Sequence, residues 1–264
     1  MLALPKSPLT FHLAPKILRV SHRGLKMLGA PVHRLYDKIY YQAFFGLEIP
    51  FAPRLTEKLT ALALYQGRGD APVPAETWEA QYRSGQWSFL QELDQMTRYS
   101  VIAGYVQTLK RDGSLLDVGC GEGLLLERLC GSAYSKFVGI DISQTAIARA
   151  QAKHYSRSFF TCADARGFVA AERFDAIIFN EVLYYFPDPL EVSRKYCRWL
   201  KPDGLLITSL YGRSDRARAI ARLMKKAYRS MDEVEIISHG KKWIIDVFLP
   251  EIQRSRPAGK PDGS

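Results

Sequence analysis

No apolar run in the 264-residue chain approaches the roughly 18–20 residues needed to cross a membrane. Cysteine is sparse. Cys120, Cys130, Cys162 and Cys197 form no C-x-x-C pair, so a thiolate metal site is not expected and reduced thiols are. The opening MLALPKSPLTFHLAPK is interrupted by prolines and lacks the continuous apolar core of a secretory signal. Internal repeats are missing, which sets solenoid architectures aside. What remains is the expectation of a cytoplasmic globular chain, long enough for one catalytic domain with an extension or for two small domains.

Acidic residues are in deficit. The formal net charge is +10, and the bias sits at the front: residues 1–75 hold ten Lys/Arg against four Asp/Glu, the remainder 27 against 23. Basic charge attracts nucleic acid, anionic lipid or acidic substrates, and it also simply keeps proteins in solution. Within this quarter, Val32, Leu35, Tyr36, Ile39, Tyr40 and Ala43 fall on one face of a helix, and Pro53 is placed to open another with Leu55, Leu59 and Leu62 inward. Residues 1–75 are therefore expected to form a helical basic extension. It would serve as a cap on the catalytic domain, as a peripheral contact with an anionic membrane, or as an arm for a partner protein. Gly67–Pro74 is a linker by composition. Residues 76–250 form the expected catalytic domain, and 251–264 a disordered tail.

The chemistry concentrates in Ser114–Gly123, SLLDVGCGEG. Leu115, Leu116 and Val118 predict a buried strand, and Gly119, Gly121 and Gly123 a turn that feeds a helix over Leu124–Leu129. Glycines let a backbone turn sharply and approach a ligand closely. The spacing is G-x-G-x-G, one residue shorter than the dinucleotide fingerprint G-x-G-x-x-G, so a pyrophosphate ligand is not indicated. Downstream, Lys136–Asp141 and Ser158–Cys162 predict two more strands, ending at Asp141 and just before Asp164. Asp117, Asp141 and Asp164 thus mark three successive strand ends. A fourth strand is predicted at Phe174–Asn180, and Asn180–Tyr185 lies at its carboxyl end. Asp188 and Pro189 make a cap and first-turn pair for the next helix. Lys201–Gly204 reads as a turn, Leu205–Leu210 as a fifth strand, Ser214–Tyr228 as a basic helix, and Val234–Ser238 with Trp243–Leu249 as a hairpin around His239-Gly240.

The D-x-G-x-G-x-G pattern at Asp117–Gly123 resembles the first motif of class I S-adenosylmethionine-dependent methyltransferases, and the resemblance extends over residues 76–249. It implies an α/β fold, a seven-stranded doubly wound Rossmann-like sheet with a terminal antiparallel hairpin. The cofactor it implies is S-adenosylmethionine. Gly119, Gly121 and Gly123 would pass beneath the amino-acid head and ribose, and Asp117 would sit near the amino group. Asp141, with Ile142 beside it, would take the ribose hydroxyls. Asp164 would bond the adenine amino group, with the backbone of Ala165 on a ring nitrogen. The segment Trp78–Trp87 (WEAQYRSGQW) resembles one that closes over the cofactor in small-molecule relatives, so Trp78, Tyr82 and Trp87 are candidate aromatic walls or core. Arg98, on a long helix expected from Phe89 to Lys110, is a candidate for the cofactor carboxylate, or a structural ion pair. Asn180, Tyr184 and Tyr185 would floor the methyl pocket. Glu181 is the leading candidate base, equally open to a cofactor-contact role, with His239 second. No metal ligand set is implied. Asn180-Glu181-Val182-Leu183 stands where amide and base methylases carry N-P-P-[YF], which disfavours nucleic acid. The expected acceptor is an oxygen or nitrogen of a small molecule, a sugar or secondary metabolite. RNA or protein methylation and non-catalytic cofactor binding are the alternatives.

Overall fold

The computed structural model describes residues 73–129 and 133–250. The helices expected in residues 1–72 and the tail expected at 251–264 lie outside the described residues.

Seven strands form one sheet: β1 (Gly113–Val118), β2 (Tyr134–Asp141), β3 (Ser158–Cys162), β4 (Phe174–Asn180), β5 (Leu200–Tyr211), β6 (Arg229–Ser238) and β7 (Lys241–Leu249). Their order is β3-β2-β1-β4-β5-β7-β6. The first five pair in parallel, whereas β7 runs antiparallel to both β5 and β6. Helices α1 (Ala75–Arg83), α2 (Leu93–Leu109), α3 (Gln144–Gln151), α4 (Pro189–Cys197) and α5 (Asp215–Ala227) surround it. Because helices cover both faces, the central strands are apolar on both sides: all six residues of β1 are buried. Tyr99, Ile102, Ala103 and Val106 of α2 join Leu115, Ile178, Ile207 and Ile245 in one core. Each leucine, isoleucine or valine so removed from water is worth about 1.5–3 kcal/mol. On the opposite face Phe179 meets Tyr196 of α4 edge-on at 5.2 Å. One polar row interrupts that face: Thr208 stands opposite Asp246, and Asp246 opposite Glu233. Lys225 of α5 reaches Glu233 at 2.6 Å and Asp246 at 3.6 Å.

Chain connectivity departs in opposite directions from β1, toward β2 and, later, toward β4. The crevice at the carboxyl ends of these strands is where such sheets bind ligands. Side-chain caps start the helices next to it. Ser143 accepts from Ala146 N–H, Asp188 from Glu191 N–H, and Ser214 from Ala217 N–H.

Three expectations about elements need correction. The helix expected over Leu124–Leu129 is a set of turns with a single 3-10 turn at Leu126–Arg128. Leu124, Leu125 and Leu126 are consecutive and all buried. That pattern suits a tight turn packed on several sides, and a short segment gains little against the cost of nucleating an α-helix. The single long helix expected from Phe89 is split, because Glu92 is extended (ψ 155°) between the 3-10 turn Ser88–Gln91 and α2. Finally, Lys201–Gly204 is no separate turn. It bulges out of β5, so that Phe174 pairs with Leu200 but Ala176 with Leu205.

Candidate functional site

The turn after β1 is built for close approach. Gly119 and Gly121 have φ of +73° and +53°. A Cβ on Gly119 would stand 2.7 Å from Val182 Cγ2, and one on Gly121 2.7 Å from Tyr82 Oη. A side chain at either position would strain the backbone and displace Val182 or Tyr82. Gly123 packs against Phe160. The turn is tied to its neighbour by two N–H donors, from Gly119 and Cys120, to the Ile140 carbonyl at 2.8 and 2.9 Å.

Two carboxylates flank it. Asp117 is 1% exposed, and its Oδ1 accepts no hydrogen bond from any described residue. Burial, and then the charge of Asp141, push its carboxyl up to about 7, against the pull of Arg98. A buried acceptor without a donor is costly, which makes this atom a candidate contact for a ligand. Asp141 accepts from Gly121 N–H and Ser143 N–H, both at 2.9 Å, and burial raises it to about 6. Each of its oxygens keeps a second lone pair for a hydroxyl donor.

Helix α1 closes over this corner. Tyr82 lies buried on Gly121. Glu79 accepts from Ser143 Oγ at 2.7 Å and from the Thr145 N–H at 3.1 Å and its hydroxyl, which hold its carboxyl down at about 2. Trp78 stacks with Trp87 at 5.8 Å and meets Tyr185 edge-on at 4.6 Å. Tyr185 in turn packs on Tyr184. The three aromatic residues expected as walls therefore form one cluster from the glycine turn to the end of β4.

At that end lies a second polar network. Arg98, 1% exposed, donates to Asn180 Oδ1 at 2.6 Å, Gln95 Oε1 at 3.2 Å and Tyr99 Oη at 3.0 Å. Burial opposes its charge, and Tyr99, Glu181 and Tyr184 outweigh it. Glu181 follows in the left-handed region, φ +61°. Its Oε1 accepts from Ser209 Oγ and its Oε2 from Tyr184 Oη, both at 2.8 Å. Burial raises the carboxyl above the ordinary glutamate range, while Arg98, Ser209 and Tyr184 restrain it.

The remaining candidates stand apart. Asp164 is turned to Arg166, which donates to both its oxygens through Nε at 3.1 Å and through Nη2 at 2.6 Å. Ala165 offers its carbonyl to Tyr196 Oη at 2.9 Å, and Ile142 its carbonyl to the Cys162 thiol. His239 sits in the exposed β6–β7 turn against Ser238, with no contact to Glu181. Sequence reasoning missed Glu79, whose partners Ser143 and Thr145 lie more than sixty residues away. It also missed Ser209, the parallel-register partner of Asn180, which that register would have pointed to.

A family model described as a methyltransferase domain matches residues 89–241. The chain belongs to the methyltransferase domain family. Among curated relatives, the ubiquinone biosynthesis O-methyltransferase of Haemophilus ducreyi is 36% identical over 128 residues, 43% of this chain and 52% of the relative. The protein of the same name from Bradyrhizobium diazoefficiens is 32% identical over 111 residues, 40% of this chain and 43% of the relative. The chain spans about half the length of the curated relatives it matches. Two solved structures share the fold. The N-methyltransferase NodS of Bradyrhizobium japonicum with S-adenosyl-L-homocysteine has a TM-score of 0.54 at 20% identity, covering 72% of this chain and 97% of that one. The magnesium protoporphyrin IX methyltransferase of Synechocystis with bound S-adenosylmethionine has 0.55 at 15%, covering 69% and 99%. The cofactor of this methyltransferase is S-adenosylmethionine. The residues present fit it: Asp117 Oδ1 lacks a donor, and the Gly119–Gly121 turn leaves room that a side chain would fill.

Proposed function

We propose that this methyltransferase moves the methyl group of S-adenosylmethionine to a hydroxyl oxygen of a small molecule, with Glu181 accepting the proton. The observation that carries the reading is the Glu181 carboxylate, fixed by Ser209 and Tyr184 at the carboxyl end of β4 beside the switch point. The relatives named O-methyltransferases favour oxygen as the acceptor atom. A sugar or a secondary metabolite is the acceptor class we favour.

The sulfonium cofactor supplies an activated methyl, so the protein's part is to bind, align and manage one proton. Asp117 would hold the cofactor's ammonium. Asp141 would take the ribose hydroxyls. Three of the Arg98 N–H donors are engaged, which leaves two for a carboxylate. Donors on both oxygens orient Glu181 and favour its ionised form against the upward pull of burial, while each oxygen retains capacity to accept a proton.

The test is methyl transfer from isotope-labelled S-adenosylmethionine into a metabolite extract, with identification of the labelled product. With that acceptor, Glu181→Gln should lower turnover by about 10²–10⁴-fold. S-adenosylhomocysteine affinity should stay unchanged, and the rise of rate with pH should be lost. Weakened binding with intact turnover at saturation would make Glu181 a cofactor contact instead.

A further inference from the structure

The Glu181 carboxylate is oriented by Tyr184, and Tyr184 is not held by its own segment alone. It lies in the 3-10 turn Leu183–Tyr185, three residues beyond a glutamate in the left-handed region. A short turn of this kind has few internal bonds: Tyr185 N–H to the Val182 carbonyl, and Phe186 N–H to that of Leu183. Two carbonyls of the segment point away from the site, toward α5. There the Arg216 guanidinium donates Nε–H to the Tyr184 carbonyl and Nη2–H to the Phe186 carbonyl, each at 2.9 Å. The helix that carries Arg216 is itself anchored. Ser214 caps it, and Ala217, Ile220, Ala221 and Met224 are buried beneath it.

We propose that Arg216 is a positioning residue of the transfer reaction: its two-pronged grip on the Tyr184 and Phe186 carbonyls sets the turn from which the Tyr184 hydroxyl orients Glu181. Planarity is what the position requires. The Nε and Nη2 hydrogens of a guanidinium lie in one plane and bridge two carbonyls two residues apart, whereas an ammonium is a point donor on a flexible stem. The proposal rests on reading Glu181 as the proton acceptor. It adds that the rear face of the site loop, not only its contacts inside the pocket, determines where that carboxylate points.

The groups that face Glu181 are Arg98 and Tyr99 from α2, Tyr184 from its own turn and Ser209 from β5. Arg216→Lys keeps the charge on α5, so any change at Glu181 reports geometry. The experiment is carbon-13 NMR of the full chain labelled at glutamate Cδ, with Glu181 assigned by loss of its signal in Glu181→Gln. Its titration midpoint is read in wild type, Tyr184→Phe, Arg216→Lys and the double variant. Tyr184→Phe removes a donor to the charged form and should raise the midpoint by about one pH unit. Arg216→Lys should move it in the same direction, and the double variant should go no further than Tyr184→Phe alone. A folded Arg216→Lys protein with the wild-type midpoint would overturn the proposal, and so would additive shifts, because Arg216 would then not act through Tyr184. Should Arg216→Lys fail to fold, Arg216→Gln replaces it; because it also removes a charge, its own shift decides nothing, and a double variant that goes no further than Tyr184→Phe supports the proposal while additive shifts overturn it. If Glu181→Gln leaves turnover intact, the proton-acceptor reading falls while the midpoints still decide the role of Arg216.

Discussion

At the scale of single residues, Asp117 is the most exposed to test. Its carboxyl is raised to about 7 by burial, with no donor on Oδ1 among the described residues. An ammonium placed there would favour the ionised form and pull the proton off. Binding of S-adenosylhomocysteine should therefore release protons below about pH 7 and weaken as pH falls. Calorimetry in buffers of different ionisation enthalpy measures this directly. Asp117→Asn should lose the proton release and about tenfold or more in affinity. Unchanged affinity and unchanged proton release would remove Asp117 from the cofactor site. The residue scale is also where the sequence was least sufficient. Asp117, Asp141, Asn180 and Glu181 were legible because strand ends in this fold converge on one crevice. Arg216 and Ser209 were not, because what matters about each is a partner some thirty residues away in another element. Asp164 was legible as a strand-end acid, but its engagement by Arg166 was not.

At the scale of elements, the fastening of α1 depends on one carboxylate. Glu79 binds the first turn of α3 through Ser143 and Thr145. Those hydrogen bonds hold its carboxyl at about 2, below the ordinary value of an unfolded or undocked glutamate. A depressed value means the contribution is complete above roughly pH 4.3 and lost as the pH falls toward 2. Tryptophan emission from Trp78 and Trp87, which stack at 5.8 Å, should report the undocking below pH 4. Glu79→Gln should show the undocked spectrum already at neutral pH while the core unfolds at nearly the same temperature. Identical spectra at pH 7 would mean that apolar packing alone docks the helix. Strand boundaries were read to the residue at β3 and β4, short runs rich in aromatic and β-branched residues. The element after the glycine turn was misread, because three adjacent leucines satisfy a helical pattern and a packed turn equally well.

At the scale of the molecule, one buried row sets the pH dependence of stability. Asp246 is fully buried, and burial raises it to about 6 despite Lys225. A folded-state value above the unfolded one means stability is greatest below about pH 4 and declines as the pH rises through 6. Asp117 acts in the same direction. Asp246→Asn keeps the shape and removes the charge, and Lys225 retains Glu233. It should raise the melting temperature above pH 7 by roughly 2–8 °C and flatten the decline between pH 4 and 7. A lowered melting temperature at pH 8 would mean that the ion pair outweighs its desolvation cost.

Tyr82 rests on Gly121, and Glu79 fastens its helix beside Asp141. On the cofactor reading, a nucleoside reaches Asp141 only while α1 is off. Loading and unloading then have a clock of their own, separate from chemistry and set by how often a nine-residue helix lets go.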